Sequence, residues 1–293
     1  MVNMRYALYL GCLIPFREMN YEISTRRVAK DIGIEICDMG DANCCGLPID
    51  SVNHEMMTLL AARNLCLAEN MELDIMTLCN GCTGVLMKVN KKLKADRELR
   101  KKVNHQLSSI GMEFQGKIKV KHFAQILADI DVDILKKFII KPLHSLTIAG
   151  YIGCHIFRPS EFMEVKNPEN PSLLNNLIKL TGAKSVRYVD EYQCCGFVEG
   201  AIEPQIPLFL AREKLRNAKK AGADAMVTIC PSCHQVLDSN QRRAERKFSE
   251  IYDLPILHYP QLLGLAMGIS HEELGFNELR VKPAKLLEYL MEV

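Results

Sequence analysis

The stretch Asp74-Ile-Met-Thr-Leu-Cys79-Asn-Gly-Cys82 decides the fold, because Ala225-Met-Val-Thr-Ile-Cys230-Pro-Ser-Cys233 answers it, with the cysteines offset by 151 residues. Each is a short apolar run ending in a Cys-x-x-Cys pair, which reads as a strand that delivers cysteines at its tip and a helix that opens on them. Upstream, 33 residues separate Cys44-Cys45-Gly46 from the first pair, counted from Cys45, and 34 separate Cys194-Cys195-Gly196 from the second, counted from Cys195. Helical spacing over Glu55–Glu69 and Leu208–Lys220 fills these gaps. Further out, Tyr9-Leu-Gly-Cys12 matches Tyr151-Ile-Gly-Cys154, at the ends of apolar runs Tyr6–Leu10 and Thr147–Tyr151. Downstream, His122-Phe-Ala-Gln125-Ile-Leu127 matches His258-Tyr-Pro-Gln261-Leu-Leu263. The chain is an internal duplication.

Strands alternating with helices predict an α/β fold of two pseudo-symmetric domains, each with a mainly parallel sheet flanked by helices. In such sheets ligands sit at the carboxyl ends of strands, where these cysteines fall. The domains are expected over residues 1–135 and 143–293, with the boundary within Asp129–Pro142. Ser270-His-Glu-Glu273 reads as a capping box and Lys285–Met291 as a terminal helix.

Of the 293 residues, 48% are hydrophobic and 25% charged, a balance that argues against disorder. A net charge of +2 gives no global field to select nucleic acid. No apolar run approaches the roughly 18 residues of a membrane span, and the first twelve residues lack a secretory pattern, so a cytoplasmic location is expected. Twelve cysteines in such a chain point to metal or redox chemistry rather than to disulfides.

Ten of them form two sets of five: Cys12, Cys44, Cys45, Cys79, Cys82 and Cys154, Cys194, Cys195, Cys230, Cys233. Thiolates select iron–sulfur clusters, zinc or copper(I). A structural zinc or an ordinary cubane cluster takes four ligands, so zinc fits a set only if one cysteine is spare. A thioredoxin-like dithiol would explain one Cys-x-x-Cys and leave three cysteines without a role. Adjacent cysteines on a strand point to opposite faces, so the chain must turn at each Cys-Cys for both to reach one centre, and Gly46 and Gly196 permit that turn. Cys37 and Cys66 have no counterpart in the other half; Cys66 falls on an apolar helix face.

The spacing is the CCG-domain signature, and with the tail Leu262–Gly275 the chain resembles the B subunits of the heterodisulfide reductases of methanogenic archaea along essentially its whole length. The resemblance implies that each set of five holds a noncubane [4Fe–4S] cluster. It also implies a disulfide-cleaving oxidoreductase, whose substrate is the coenzyme M–coenzyme B heterodisulfide used in methanogenesis. Electrons would come through a ferredoxin-like iron–sulfur subunit and a flavin-containing subunit that performs electron bifurcation, fed by a hydrogenase or formate dehydrogenase. Related CCG subunits serve succinate, lactate or glycolate dehydrogenase-type complexes, and an electron-transfer role of that kind is the alternative. A third reading makes both sets structural zinc sites. Breaking a disulfide takes two electrons and two sulfur acceptors, which two clusters can supply between them.

That substrate carries sulfonate, phosphate and carboxylate groups, so Arg17 and Arg158, shortly after Cys12 and Cys154, are candidate substrate contacts. The plainer reading pairs them with Glu18 and Glu161. His155 and His234 each follow a cysteine of the second set and are candidate proton donors. His122 and His258 look like a duplicated packing element. The segment Lys88–Lys102 carries eight basic and two acidic residues, a solvated helix face by default and a docking face for an acidic subunit as the sharper reading.

Overall fold

The computed structural model describes residues 2, 4–163, 165, 167–283 and 286–288. The first half runs β1 (Met4–Tyr9), α1 (Ile14–Arg17), α2 (Met19–Ile32), β2 (Ile34–Asp38), α3 (His54–Asn70), β3 (Ile75–Thr77), α4 (Asn80–Ala95), α5 (Arg97–Leu107), β4 (Val120–His122) and α6 (Phe123–Asp129). After a short α7 (Val132–Lys136), the second runs β5 (Thr147–Tyr151), α8 (Leu173–Leu180), β6 (Lys184–Val186), α9 (Gln205–Lys220), β7 (Ala225–Thr228), α10 (Pro231–Phe248), β8 (Ile256–His258) and α11 (Tyr259–Ala266).

Each half builds one four-stranded sheet, in the orders β2-β1-β3-β4 and β6-β5-β7-β8, with every pairing parallel. The central strands are buried on both faces toward their carboxyl ends, and β7 is inaccessible along its whole length, as helices on both sides of a parallel sheet require. The strand order reverses at β1 and at β5, so the crevice beyond their carboxyl ends is where a doubly wound sheet binds ligands.

The two halves exchange helices. The last helix of each packs on the first long helix of the other, α11 against α2 and α6 against α8. Both exchanged helices start alike. His122 and His258 are their N-caps, and each backbone N–H donates to the side-chain oxygen of a glutamine three residues on, Gln125 or Gln261, at 2.9 Å. The duplicated histidine motif is therefore a helix-capping device.

Two expectations at the C-terminal end need correction or fall away. Ser270 and Glu273 open turns and the short 3-10 segment Phe276–Glu278 instead of an α-helix, and Glu273 pairs with Arg27 of α2 at 2.7 Å. The helix expected over Lys285–Met291 lies largely outside the described residues.

Candidate metal centre

At the end of β3 the chain stays extended at Cys79 (φ −128°, ψ 125°) and then enters α4. Cys230 repeats this at the end of β7 (φ −133°, ψ 125°), where Pro231 presets the first turn of α10. Each Cys-x-x-Cys thus sits on a helix N-terminus, whose free N–H groups and dipole favour anionic sulfur. Cys12 and Cys154 follow β1 and β5 through Gly11 and Gly153, both at positive φ (70° and 76°). A Cβ on Gly11 would stand 3.0 Å from the Cys82 sulfur, and one on Gly153 would stand 3.2 Å from the Cys233 sulfur. Glycine is needed at both because backbone and sulfur approach this closely.

The adjacent pairs turn as their glycines allow. Gly46 (φ 90°) and Gly196 (φ 79°) return their N–H groups to the sulfurs of Cys44 and Cys194, at 3.5 and 3.3 Å. The tyrosine before each first cysteine locks the same loop: Tyr9 donates to the carbonyl of Asn43 and Tyr151 to that of Gln193, both at 2.7 Å.

All ten cysteines of the two sets line one cavity of about 310 Å³, whose walls are otherwise mostly apolar. Thiol contacts run through it without a break, from Cys12 by way of Cys44, Cys45 and Cys82 to Cys79. They cross to Cys230 and continue through Cys233, Cys195 and Cys194 to Cys154. No cysteine is in a disulfide.

Such crowding splits the thiols. Hydrogen bonds from Cys12 and Cys45, with the Gly46 N–H, hold Cys44 down to about 2 against the cost of burial. Cys154, Cys195 and the Gly196 N–H do the same for Cys194. Donating to these anions pushes Cys45 and Cys195 up to about 12. Ten sulfurs in one apolar hollow can all ionise only around cationic metal. The donor set is soft and sulfur-only, so it fits iron–sulfur clusters.

The remaining candidates separate. His155 lines the cavity, with Nδ1 3.2 Å from the Cys154 sulfur. His234 does not, despite following Cys233, because the next residue along a helix faces about 100° away. Its Nδ1 lies 2.7 Å from Glu18 and its Nε2 2.9 Å from the carbonyl of Ile256. Arg17 and Arg158 also lie outside the cysteine cavity. Arg17 borders a separate hollow of about 30 Å³ with Glu18 and His234, and Arg158 rests on the ring of Phe157, 4.8 Å from its centroid. Glu18 is occupied by imidazoles rather than by Arg17.

The cluster of Glu18, His234 and His258 is what sequence reasoning missed as a unit. His258 Nε2 lies 3.1 Å from the same Glu18 oxygen, its ring stacks on His234 at 4.2 Å and on Tyr21 at 3.9 Å, and all three ligand atoms fall within 4.8 Å of one another. Glu18 comes from the first half and both histidines from the second, so the cluster bolts the halves together. Burial works against the charge on Glu18, but the two imidazoles hold it down to about 2. The signal available in the sequence was that His234 stands where the first half has Thr83.

Cys37 and Cys66 stay apart. Cys37 accepts from Arg5 Nε at 3.2 Å on the outer strand β2, and Cys66 is enclosed in α3, where burial pushes its thiol up to about 12. Part of the basic segment is spent internally: Lys102 pairs with Glu55 at 3.1 Å and Lys94 donates to the Ile118 carbonyl at 2.8 Å.

The cysteine-rich CCG domain model matches the chain twice, over residues 6–87 and 148–238. Among the B subunits of heterodisulfide reductases, that of the ferredoxin:CoB-CoM heterodisulfide reductase of Methanosarcina mazei is 37% identical, over 99% of this chain and 98% of that one. The chain is 32% identical to the 8-methylmenaquinol:fumarate reductase membrane anchor subunit of Wolinella succinogenes, over 96% and 98%. Among the described residues, no helix is long and apolar enough to cross a membrane. A hypothetical protein from Helicobacter pylori has the same fold at a TM-score of 0.76 and 13% identity; the match covers 96% of this chain and 53% of that structure.

Proposed function

Because the chain belongs to the cysteine-rich CCG family, which includes B subunits of heterodisulfide reductases, we propose that it is the disulfide-reducing subunit of such a complex. Its substrate is the coenzyme M–coenzyme B heterodisulfide. The observation that carries this is the single cavity walled by both sets of five cysteines. Cys12, Cys44, Cys45, Cys79 and Cys82 hold one noncubane [4Fe–4S] cluster, and Cys154, Cys194, Cys195, Cys230 and Cys233 hold the other. When bound, the pair supplies two electrons and two sulfur-binding irons.

The chain's own contribution follows from the walls. Leu10, Leu13, Leu47, Pro48, Phe197 and Val198 give the hollow an apolar rim. His155, half-exposed with Nδ1 beside the Cys154 sulfur, passes a proton to a product thiol in this reading. With every cavity cysteine engaged as a ligand, no free thiolate is left for ordinary thiol–disulfide exchange. Electrons arrive from a ferredoxin-like iron–sulfur subunit and a flavin-containing subunit, supplied by a hydrogenase or formate dehydrogenase, in the cytoplasm.

The likeness to a fumarate reductase subunit favours one second reading, an electron relay whose substrate site lies on another chain. An anaerobic EPR titration of the intact complex with coenzyme M thiol, under oxidising conditions, separates the two. A paramagnetic signal that appears with the thiol and not with succinate supports disulfide reduction. Signals indifferent to the thiol turn the assignment to the relay, and zinc without iron rejects both.

A further inference from the structure

The two sets of cysteines are related by the duplication, but the residues beneath them are not. On α3, Asn64 is fully buried and neutral; it accepts from the Asn43 N–H at 3.0 Å and donates to the Asn43 carbonyl at 3.1 Å. Its counterpart on α9, at the same 150-residue offset as Cys44 and Cys194, is Lys214. That lysine is 1% exposed, donates to the Asp190 carbonyl at 2.5 Å, and holds its ammonium 4.4 Å from the ring centroid of Tyr151. A second difference runs the same way. Leu13 in the first half answers to His155, whose ring nitrogen meets the Cys154 sulfur.

Resting on the reading of both sets as iron–sulfur sites, we propose that Lys214 makes them electrically unequal, raising the reduction potential of the second cluster so that it takes up an electron first. A buried cation stabilises the added negative charge of a reduced cluster, and water screens it poorly there. Burial works against the ammonium's charge, whereas Asp190 and the sulfurs of Cys233, Cys195 and Cys194 favour it. Asp190 is the carboxylate that opposes Lys214, and its side chain is turned to Asn217, 3.2 Å away. In the first half the nearest counterpart is Arg63, which is half-exposed and donates to the Asp41 carbonyl and Asn43 on the outer side of the loop.

The test is a mediated potentiometric titration with dithionite, read by EPR, on the full chain reconstituted anaerobically with iron and sulfide. Wild type should give two midpoints. Lys214→Met should lower the higher one and leave the other in place, while Asp190→Asn should raise the higher one further. Asn64→Lys, which tests the idea even if Lys214→Met fails to fold, should raise the lower one. Two clusters with a single midpoint, or midpoints unmoved by Asn64→Lys and Asp190→Asn, would overturn the inference and leave the functional reading standing. A chain that binds no iron and sulfide overturns both.

Discussion

The sulfur of Cys79, in the first half of the chain, meets the sulfur of Cys230, in the second. Each is the first cysteine of its Cys-x-x-Cys and the N-cap of its helix, so two helix N-termini converge on one point between the sheets. Asn80 reinforces the junction by donating from Nδ2 to the carbonyl of Ile152 at 2.6 Å. The halves are thus joined through the candidate metal centre itself, and neither half closes the cavity alone.

Replacement of either junction cysteine should therefore cost metal. Cys79→Ala or Cys230→Ala is expected to remove about half of the bound iron and sulfide, with Cys66→Ala as the control. Cys66 is buried outside the cavity, so that change should leave iron content intact and lower stability by about 1 kcal/mol, through lost packing. Iron analysis of anaerobically purified protein decides, and unchanged iron in both junction variants would remove these cysteines from the ligand set.

Gly153 should tolerate no side chain. At φ 76° a Cβ there would lie 2.5 Å from Asn80 Nδ2 and 3.2 Å from the Cys233 sulfur, whereas Gly222, at φ 79°, has nothing within 4 Å. Gly222→Ala carries the backbone cost alone, about 1–2 kcal/mol. Gly153→Ala adds overpacking to it and should cost about 3–4 kcal/mol, with loss of iron from the second set. Denaturant unfolding of the two variants side by side tests this, and equal costs would refute it.

The duplication and the strand tips were legible because they rest on local signals. The run Thr147–Tyr151 is β5 without adjustment, Asp74–Leu78 holds β3, and Glu55–Glu69 is one residue short of α3 at each end. The outer strands β2, β4, β6 and β8 escaped notice because they are three to five residues long and lack a repeated cysteine. The exchange of α6 and α11 left no trace in sequence, since an apolar helix face does not say which half covers it. The surroundings of His234 were hidden for a related reason. Adjacency to Cys233 suggested the cavity, but its direction is fixed by helical pitch and by Glu18, 216 positions away in the chain.

Glu18 should prove the most costly single charge to remove. It is buried against two imidazoles, so Glu18→Gln strips the charged form of His234 of its counterion and is expected to cost about 3 kcal/mol. Thermal unfolding of the variant checks this, with Glu22→Gln on the more exposed side of the same turn as the reference. A loss no larger than that of the reference would show that the cluster does not hold the halves together.

The same cluster predicts how stability depends on acid. Burial lowers His258 to about 4, with the neighbouring His234 adding to the effect, and Glu18 is held down to about 2. For both groups the unfolded chain binds protons more readily than the folded one, so stability rises with pH across the gap between the two values. The His258 contribution is complete above its unfolded value of about 6.5 and is lost as pH falls toward 4; the Glu18 contribution follows between about 4.5 and 2. In the other half the Ala124 N–H donates to His122 Nδ1 at 3.0 Å, but Pro260 has no N–H to offer His258, whose Nδ1 is buried without a hydrogen bond. Wild type should therefore lose stability between pH 7 and 4 more steeply than His258→Asn, whose side chain does not titrate. Unfolding curves collected across that range test the slope, and parallel pH profiles would show that folding leaves the protonation of His258 unshifted.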